Sequence, residues 1–261
     1  MVRIAITGKG GVGKTTIAGV LSRLLAREGK DVLAVDADPD LNLGSILGVE
    51  VTDVTPVAEK KEFIAERTGT SAGGDTASGV FKLNPKVDDV VEKFGIPTPD
   101  GVNLILMGTV DEGGTGCMCP ASAFLRALLR HLARGEKDAI VLDMEAGIEH
   151  LGRGTADSVD KIIIVVEPGQ KSINTARRIK ELASDIGVND FAGVINKVRD
   201  SEKEKVVRNK LKELDISVLG VLPYDESFVD ADLEGNSPIE YSEKSKGIKS
   251  IEEVKNKIFR N

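Results

Sequence analysis

The sequence predicts an α/β fold, in which a single doubly wound, mainly parallel sheet carries helices on both faces. Short apolar runs recur along the 261 residues, and amphipathic segments of helical period lie between them. The runs are continuously apolar rather than alternating, which is typical of strands buried on both faces. Because strands alternate with helices, the connections are expected to be right-handed crossovers between parallel strands.

The individual elements follow from these two patterns. The apolar runs predict strands at residues 2–7, 32–36, 102–107, 139–143, 161–166, 192–195 and 218–222. The segments of helical period predict helices at residues 15–28, 121–133, 171–186 and 201–214. Residues 50–101 are irregular, and their Gly-, Ser- and Thr-rich stretch at 68–79 predicts a surface loop. No repeat or linker divides the chain, so we expect one domain over residues 1–261.

The composition argues against several classes of function. The 42 acidic residues outnumber the 35 basic ones, and the net charge of −7 disfavours binding to nucleic-acid phosphates. The aromatic residues, seven Phe and two Tyr, offer few platforms on which bases can stack. No apolar run approaches the ~20 residues of a membrane span, and no basic leader precedes the first strand. We therefore expect a cytoplasmic protein that binds neither nucleic acid nor membrane.

Residues 8–15 read Gly-Lys-Gly-Gly-Val-Gly-Lys-Thr, which is the pattern of a phosphate-binding P-loop. The pattern lies between the first strand and the first helix, as a P-loop requires. Glycine residues allow the loop to turn its N–H groups inward, and Lys14 is placed to reach the β- and γ-phosphates. Thr15 is expected to bind Mg²⁺ through its hydroxyl group. The predicted phosphate site consists of Gly8, Gly10, Gly11, Val12, Gly13, Lys14, Thr15 and Thr16.

Acidic residues follow two of the predicted strands. Asp36 and Asp38 lie at the end of the second strand, and Asp143 ends the strand at 139–143. The carboxyl ends of parallel strands share one edge of the sheet, so these carboxylates are expected near the phosphates. Asp143 has the position of a Walker B aspartate, which holds Mg²⁺ through water. A turn with solvated side chains is the alternative for Asp36 and Asp38.

Residues 195–199, Ile-Asn-Lys-Val-Arg, bear on the choice of base. Nickel-delivery GTPases of similar architecture read guanine with Asn-Lys-x-Asp, whose carboxylate accepts the guanine N–H groups. Here Arg199 stands where that carboxylate would be, and Asp200 comes one residue late. The sequence therefore favours ATP over GTP.

Cys117 and Cys119, the only two cysteines of the chain, flank Met118. Cysteines at this spacing make a strained disulfide, whereas two thiolates on one turn can bind a common metal ion. Thiolates favour soft metals such as nickel, zinc, copper(I) or the iron of a cluster. A closed tetrahedral site needs four ligands, so a two-fold dimer that pairs both Cys-x-Cys segments would complete it. The alternative is a pair of small cysteines that bind no metal.

An ordinary P-loop does not need the second lysine, Lys9. With Lys9, residues 8–15 resemble the deviant Walker A motif of the family that contains the nitrogenase iron protein and the septum-site and partitioning ATPases. The resemblance implies an ATP-bound dimer in which Lys9 crosses to the phosphates of the partner; a solvated loop lysine is the alternative. It also implies that Asp38 orients the attacking water and that Asp36 supports the loop or the Mg²⁺ shell.

The same resemblance implies contacts to the nucleotide base from residues that follow two late strands. These residues are Asn196, Lys197, Pro223, Tyr224 and Asp225. An asparagine that caps a strand end is the alternative for Asn196.

Residues 116–120, 125–132 and 143–155 narrow the resemblance to the CooC-type nickel-insertion ATPases. Residues 116–120 read Gly-Cys-Met-Cys-Pro, and residues 143–147 read Asp-Met-Glu-Ala-Gly. For such proteins the resemblance implies ATP hydrolysis with Mg²⁺ and a homodimer. It further implies nickel or zinc at the paired Cys117 and Cys119, and nickel delivery to carbon monoxide dehydrogenase.

Two other functions stay open on the sequence alone. An iron-sulfur cluster carrier or electron-transfer ATPase also holds a metal between subunits, and a cluster accepts any four well-placed thiolates. A positioning ATPase of the MinD and ParA type is the third class, since the tail has an apolar stripe that could face a membrane. This stripe consists of Ile251, Val254, Ile258 and Phe259. A positioning role would leave the two cysteines without a function.

Overall fold

A computed structural model describes residues 1–70, 81–109, 120–146 and 158–259. These residues form an eight-stranded sheet with the strand order β3-β4-β2-β5-β1-β6-β7-β8. The strands are β1 (Val2–Gly8), β2 (Val32–Ala37), β3 (Ile96–Pro97), β4 (Asn103–Leu106), β5 (Ala139–Met144), β6 (Lys161–Val166), β7 (Phe191–Val198) and β8 (Ser217–Pro223). The helices are α1 (Lys14–Arg27), α2 (Leu43–Ile46), α3 (Lys61–Thr68), α4 (Val90–Phe94), α5 (Pro120–Leu132), α6 (Gln170–Asp185), α7 (Ser201–Glu213), α8 (Glu226–Leu233), α9 (Pro238–Tyr241) and α10 (Lys246–Phe259).

The central strand β1 shows why this sheet needs helices on both faces. It pairs in parallel with β5 on one side and with β6 on the other. Its side chains alternate between two apolar clusters, with Ala5 in one and Ile4 and Ile6 in the other. Helices α5, α6 and α7 contribute to the first cluster, and α1 and α10 to the second. The predicted doubly wound α/β fold is confirmed, and all seven predicted strands are present.

The apolar stripe of the tail lies in α10, where Ile251 and Val254 are buried and Ile258 and Phe259 are partly buried. Ile251 and Val254 are 0% and 1% exposed and belong to the apolar cluster that also contains α1. Gly220 of β8 makes this close packing possible, because a Cβ atom there would clash with Val254. The stripe therefore packs on the sheet and is not free to face a membrane. In the described ranges, no helix has both the length and the apolar character that a membrane span requires.

Residues 50–101, predicted to be irregular, contain α3, α4 and the antiparallel strand β3. Phe63 of α3 packs edge-to-face on Phe94 of α4 and on Phe124 of α5, at centroid distances of 5.0 and 5.7 Å. Arg130 of α5 donates a further hydrogen bond to Asn84. This segment thus packs on α5, the helix that begins directly after the cysteine pair.

Arg23 of α1 is a charged side chain in the core, with 1% of its surface exposed. Its guanidinium donates to the carboxylates of Asp100 and Glu240, and to the carbonyl oxygen of Ile46. Asp100 lies between β3 and β4, and Glu240 lies in α9. Arg23 therefore connects the helix that follows the P-loop to three distant parts of the chain.

Replacing Arg23 by alanine is expected to lower the free energy of unfolding by about 2–4 kcal/mol, because a buried charge network loses its centre. Arg27 is a matched control, since it also pairs with Asp100 but has a side chain that is 33% exposed. We expect Arg27→Ala to cost less than about 1 kcal/mol. Urea denaturation followed by circular dichroism measures both values, and equal losses would show that burial of Arg23 does not matter.

Candidate nucleotide site

The P-loop joins the end of β1 to the start of α1, and two of its positions require glycine. Gly8 has a φ of 155°, and a Cβ atom there would clash with the carbonyl oxygen of Val165. Gly13 has a φ of 93°, and a Cβ atom there would lie 2.5 Å from Nδ2 of Asn196. The glycines thus allow the loop to pass close to β6 and β7, with α1 beginning at Lys14.

The loop borders a cavity of about 610 Å³, within the usual range for small-molecule sites. Predicted site residues that line it are Gly10, Gly11, Gly13, Lys14, Thr15, Thr16, Asp38, Asn196, Lys197, Pro223, Tyr224 and Asp225. Gly8, Val12, Asp36 and Asp143 do not line it, and the last three are buried. The structure therefore brings P-loop residues, the segment after β2 and the carboxyl ends of β7 and β8 to one cavity.

Two parts of the cavity wall were not predicted from the sequence: one lies at α2 and includes Asn42 and Ser45, and the other is supplied by α8 and the residues after it. Phe228, Val229 and Asp232 of α8 line the second part. Asp225 begins this helix as its N-cap, because its carboxylate accepts the N–H groups of Ser227 and Gly247. An Asp-x-Ser sequence after an apolar strand is a recognisable helix start, so this second part had a sequence signature. The carboxylate of Asp225 is thereby used for capping.

Asp36 organises the loop that follows β2. Its Oδ1 atom accepts the N–H of Asp38 at 3.2 Å, and its Oδ2 atom accepts the N–H of Leu43 at 2.9 Å. Its carbonyl oxygen accepts the N–H groups of Met107 and Gly108, which follow β4. Asp36 thus holds together the loop that carries Asp38, the start of α2 and the end of β4.

Asp38 faces the P-loop lysine. Its Oδ2 atom lies 3.5 Å from Nζ of Lys14, and both side chains are nearly buried. Its Oδ1 atom accepts the N–H of Asp40. The residue predicted to orient water and the lysine predicted to bind phosphates are therefore direct neighbours.

Asp143 at the end of β5 is fully buried, and it lies beside Asp36 on the neighbouring strand β2. Neither of its carboxylate oxygens has a hydrogen-bond partner of normal geometry in the described part of the chain. Burial raises the pKa of Asp143 to about 6, against the opposing effects of the Thr15 hydroxyl and the Lys14 ammonium group. Burial and the charge of Asp143 raise the pKa of Asp36 to about 7.

These residues fit a Mg²⁺ ion. An unpartnered buried carboxylate beside the Thr15 hydroxyl offers the oxygen ligands that Mg²⁺ prefers, and such sites take further ligands from phosphates and water. Within the four described ranges, no group of three or more His, Cys, Asp or Glu side chains is arranged to hold a metal ion by itself. Cys117 and Cys119 lie outside the described residues.

The two raised pKa values predict that stability falls with rising pH in the absence of nucleotide. The unfolded chain has the ordinary Asp pKa of 3.8, so the folded state binds more protons between about pH 4 and 7. The stabilisation is complete below pH 4 and is lost as the pH rises through 6 and 7. Four other Asp residues have lowered pKa values and therefore titrate below this range; they are Asp89, Asp100, Asp160 and Asp225.

Urea denaturation at pH 5, 6, 7 and 8 tests this prediction. Asp143→Asn carries no charge at any of these values and also removes the charge that raises the pKa of Asp36. We therefore expect the variant to lose part of the pH dependence and to keep the part that comes from the burial of Asp36. A wild-type stability that stays flat or increases from pH 5 to 8 would contradict the prediction.

Two of the residues predicted to contact the base, Asn196 and Lys197, also brace the P-loop. The Asn196 amide donates to the carbonyl oxygen of Val12 at 2.8 Å and accepts the N–H of Lys197. Lys197, in the left-handed region with a φ of 57°, donates from Nζ to the carbonyl oxygen of Gly11. Arg199 does not line the cavity and stacks on the ring of Tyr224 at 3.5 Å. Arg199, at the position of the guanine-reading carboxylate of the GTPases, therefore does not accept N–H groups from a guanine base.

Lys9 also does not line the cavity. Its Nζ atom lies 3.1 Å from Oε1 of Glu167, the residue after β6, and its side chain is 38% exposed. In the described structure, the ammonium group of Lys9 is thus directed away from the phosphate site of its own chain.

The parallel sheet, the P-loop and the buried aspartate at the end of β5 define a P-loop ATPase. A family profile, the CobQ/CobB/MinD/ParA nucleotide-binding domain, matches residues 4–239. The chain belongs to this family.

Two relatives cover nearly the whole chain. An uncharacterised ATP-binding protein of Methanocaldococcus jannaschii is 46% identical over 258 residues, which are 99% of this chain and 98% of that protein. The carbon monoxide dehydrogenase accessory protein CooC of Rhodospirillum rubrum is 43% identical over 238 residues, covering 90% and 88%.

Solved structures of cell-division ATPases share the fold. The MinC:MinD complex of Aquifex aeolicus matches with a TM-score of 0.71 and 25% identity, covering 100% of this chain and 96% of that one. MinD of Pyrococcus horikoshii, complexed with Mg-ADP, matches with a TM-score of 0.70 and 24% identity, covering 100% and 97%.

Proposed function

We propose that this protein is an ATP-hydrolysing, dimeric metallochaperone that binds nickel or zinc and assists nickel insertion into carbon monoxide dehydrogenase. The observation that carries the proposal is the 43% identity, over 90% of the chain, to an accessory protein of that enzyme. P-loop residues and Asp38 border one cavity, and the buried carboxylate of Asp143 lies beside Thr15 and Lys14, which supports the ATPase half.

In this proposal ATP binds with its phosphates on the P-loop and with its base toward residues 223–225. Lys14 leaves Asp38, 3.5 Å away, and turns to the phosphates. The freed Asp38 carboxylate then accepts a hydrogen bond from a water molecule and directs it at the γ-phosphorus. The water oxygen bonds to phosphorus as the bond to the ADP oxygen breaks. A Mg²⁺ ion held by Thr15 and, through water, by Asp143 would neutralise charge on the phosphates.

The structure on either side of the cysteine segment supports a link between ATP and the metal. Before the segment, Met107 and Gly108 donate to the carbonyl oxygen of Asp36, whose carboxylate holds the loop of Asp38. After the segment, α5 begins at Pro120. A change in the Asp36–Asp38 loop when the γ-phosphate leaves would therefore act on the base of the segment that carries Cys117 and Cys119.

Elemental analysis with an assay for acid-labile sulfide tests the metal assignment, on protein purified anaerobically and reconstituted with nickel. We expect about one nickel or zinc ion per two chains and no sulfide, as for a closed four-thiolate site. The Cys117→Ser/Cys119→Ser variant should lose the ion. Iron together with sulfide would instead favour a cluster carrier, and protein without any metal would contradict the proposal.

A further inference from the structure

Lys9 and Glu167 form a contact that the proposed reaction does not use. The Nζ atom of Lys9 lies 3.1 Å from Oε1 of Glu167 and joins the P-loop to the turn between β6 and α6. Each side chain has this single charged partner among the residues that the structure describes. The contact therefore holds the same lysine that the proposed dimer requires.

The backbone of Glu167 is anchored to α6, whereas the side chain of Lys9 is partly exposed. The backbone N–H of Glu167 donates to the hydroxyl of Ser172 at 3.1 Å, and Ser172 is only 2% exposed in the first turn of α6. The Lys9 side chain is 38% exposed and does not line the cavity of its own chain. A long, partly exposed lysine side chain can leave the carboxylate of Glu167 without disturbing the core.

The two positions of Lys9 exclude each other. An ammonium group that pairs with Glu167 of its own chain cannot at the same time reach phosphates in the cavity of a second chain. We propose that Glu167 acts as a latch, which retains Lys9 on its own chain and releases it when two copies close over ATP. This inference rests on the proposed ATP-dependent dimer and names the residue that opposes its formation.

Loss of the latch should therefore favour the dimer. Because Glu167→Gln keeps the shape of the side chain and removes its charge, only the separate chains lose a stabilising ion pair. An exposed ion pair changes an equilibrium constant by up to about fivefold, and a dimer breaks two of them. We expect the dimer Kd of the variant to be about 2- to 30-fold lower than that of the wild type.

Sedimentation velocity over a range of protein concentrations, with Mg²⁺ and a non-hydrolysable ATP analogue, measures this Kd. Asp190→Asn is the matched control, because it removes an ion pair with Lys161 at the opposite end of β6. We expect the control to dimerise like the wild type. A Lys9→Ala/Glu167→Gln variant should show no gain over Lys9→Ala, since the latch acts only through Lys9.

The outcomes separate the latch from the dimer itself. If the wild type dimerises and the dimer Kd of Glu167→Gln is equal to or higher than that of the wild type, the latch alone is overturned. If neither protein dimerises with nucleotide, the proposed dimer is wrong and the latch with it. A gain in Glu167→Gln that persists when Lys9 is also replaced would likewise overturn the latch.

Discussion

Replacement of Lys9 by alanine is expected to lower the rate of ATP hydrolysis by about a thousandfold and to abolish the nucleotide-dependent dimer. In other P-loop enzymes, a cation supplied by a partner raises kcat by a factor of about 10³ to 10⁵. Since Lys9 does not line the cavity of its own chain, the affinity of a single chain for ADP should stay within about twofold. Steady-state hydrolysis, calorimetric titration with ADP and sedimentation measure the three quantities.

A mixing experiment decides whether Lys9 acts on the partner. Neither Lys9→Ala nor Asp38→Asn should hydrolyse ATP at an appreciable rate alone. In a mixed dimer the Lys9→Ala chain keeps Asp38 and receives Lys9 from the other chain, so one complete site forms. We expect mixing to restore measurable activity of at most about one quarter of the wild-type rate, because a mixed dimer has one complete site and competes with the Asp38→Asn homodimer. If mixing restores nothing, Lys9 does not work across the interface.

The Asp38→Asn variant is expected to lower kcat by about 10² to 10⁴, which is the usual worth of a positioned acid or base. Asparagine keeps the shape of the side chain, so ATP should still bind and the dimer should persist because hydrolysis no longer ends it. Asp40→Asn is the matched control, since Asp40 is exposed, lines the same cavity and lies two residues away. The control should keep its rate within about threefold. A normal kcat for Asp38→Asn would disprove the assigned role.

Much of the fold was predictable because its information is local. Strands buried on both faces are continuous apolar runs, and β1, β5 and β6 are such runs. Helices α3 and α4 have eight and five residues, which is too short for a clear helical period. Their place in the fold depends on the contact of Phe63 with Phe124, residues far apart in the sequence. Such contacts cannot be deduced from local patterns.

The same distinction applies to the site. Glycines such as Gly8 and Gly13 follow a local pattern, so the P-loop was predictable and its geometry agrees. The bracing role of Asn196 depends on a hydrogen bond to Val12, which is 184 residues away in the sequence. The Lys9 contact spans 158 residues. Sequence patterns therefore predicted twelve of the residues that line the cavity, while the contacts of these residues required the tertiary structure.

In the proposed function, nucleotide state and metal affinity are linked through the dimer. The most direct measurement is the nickel affinity of nucleotide-free and nucleotide-bound protein, determined by competition with a chromophoric chelator. The Asp38→Asn variant with ATP provides a stable nucleotide-bound state. We expect the two affinities to differ at least about fivefold, and nickel to change the affinity for ATP by the same factor. Equal nickel affinities in the two states would contradict this link.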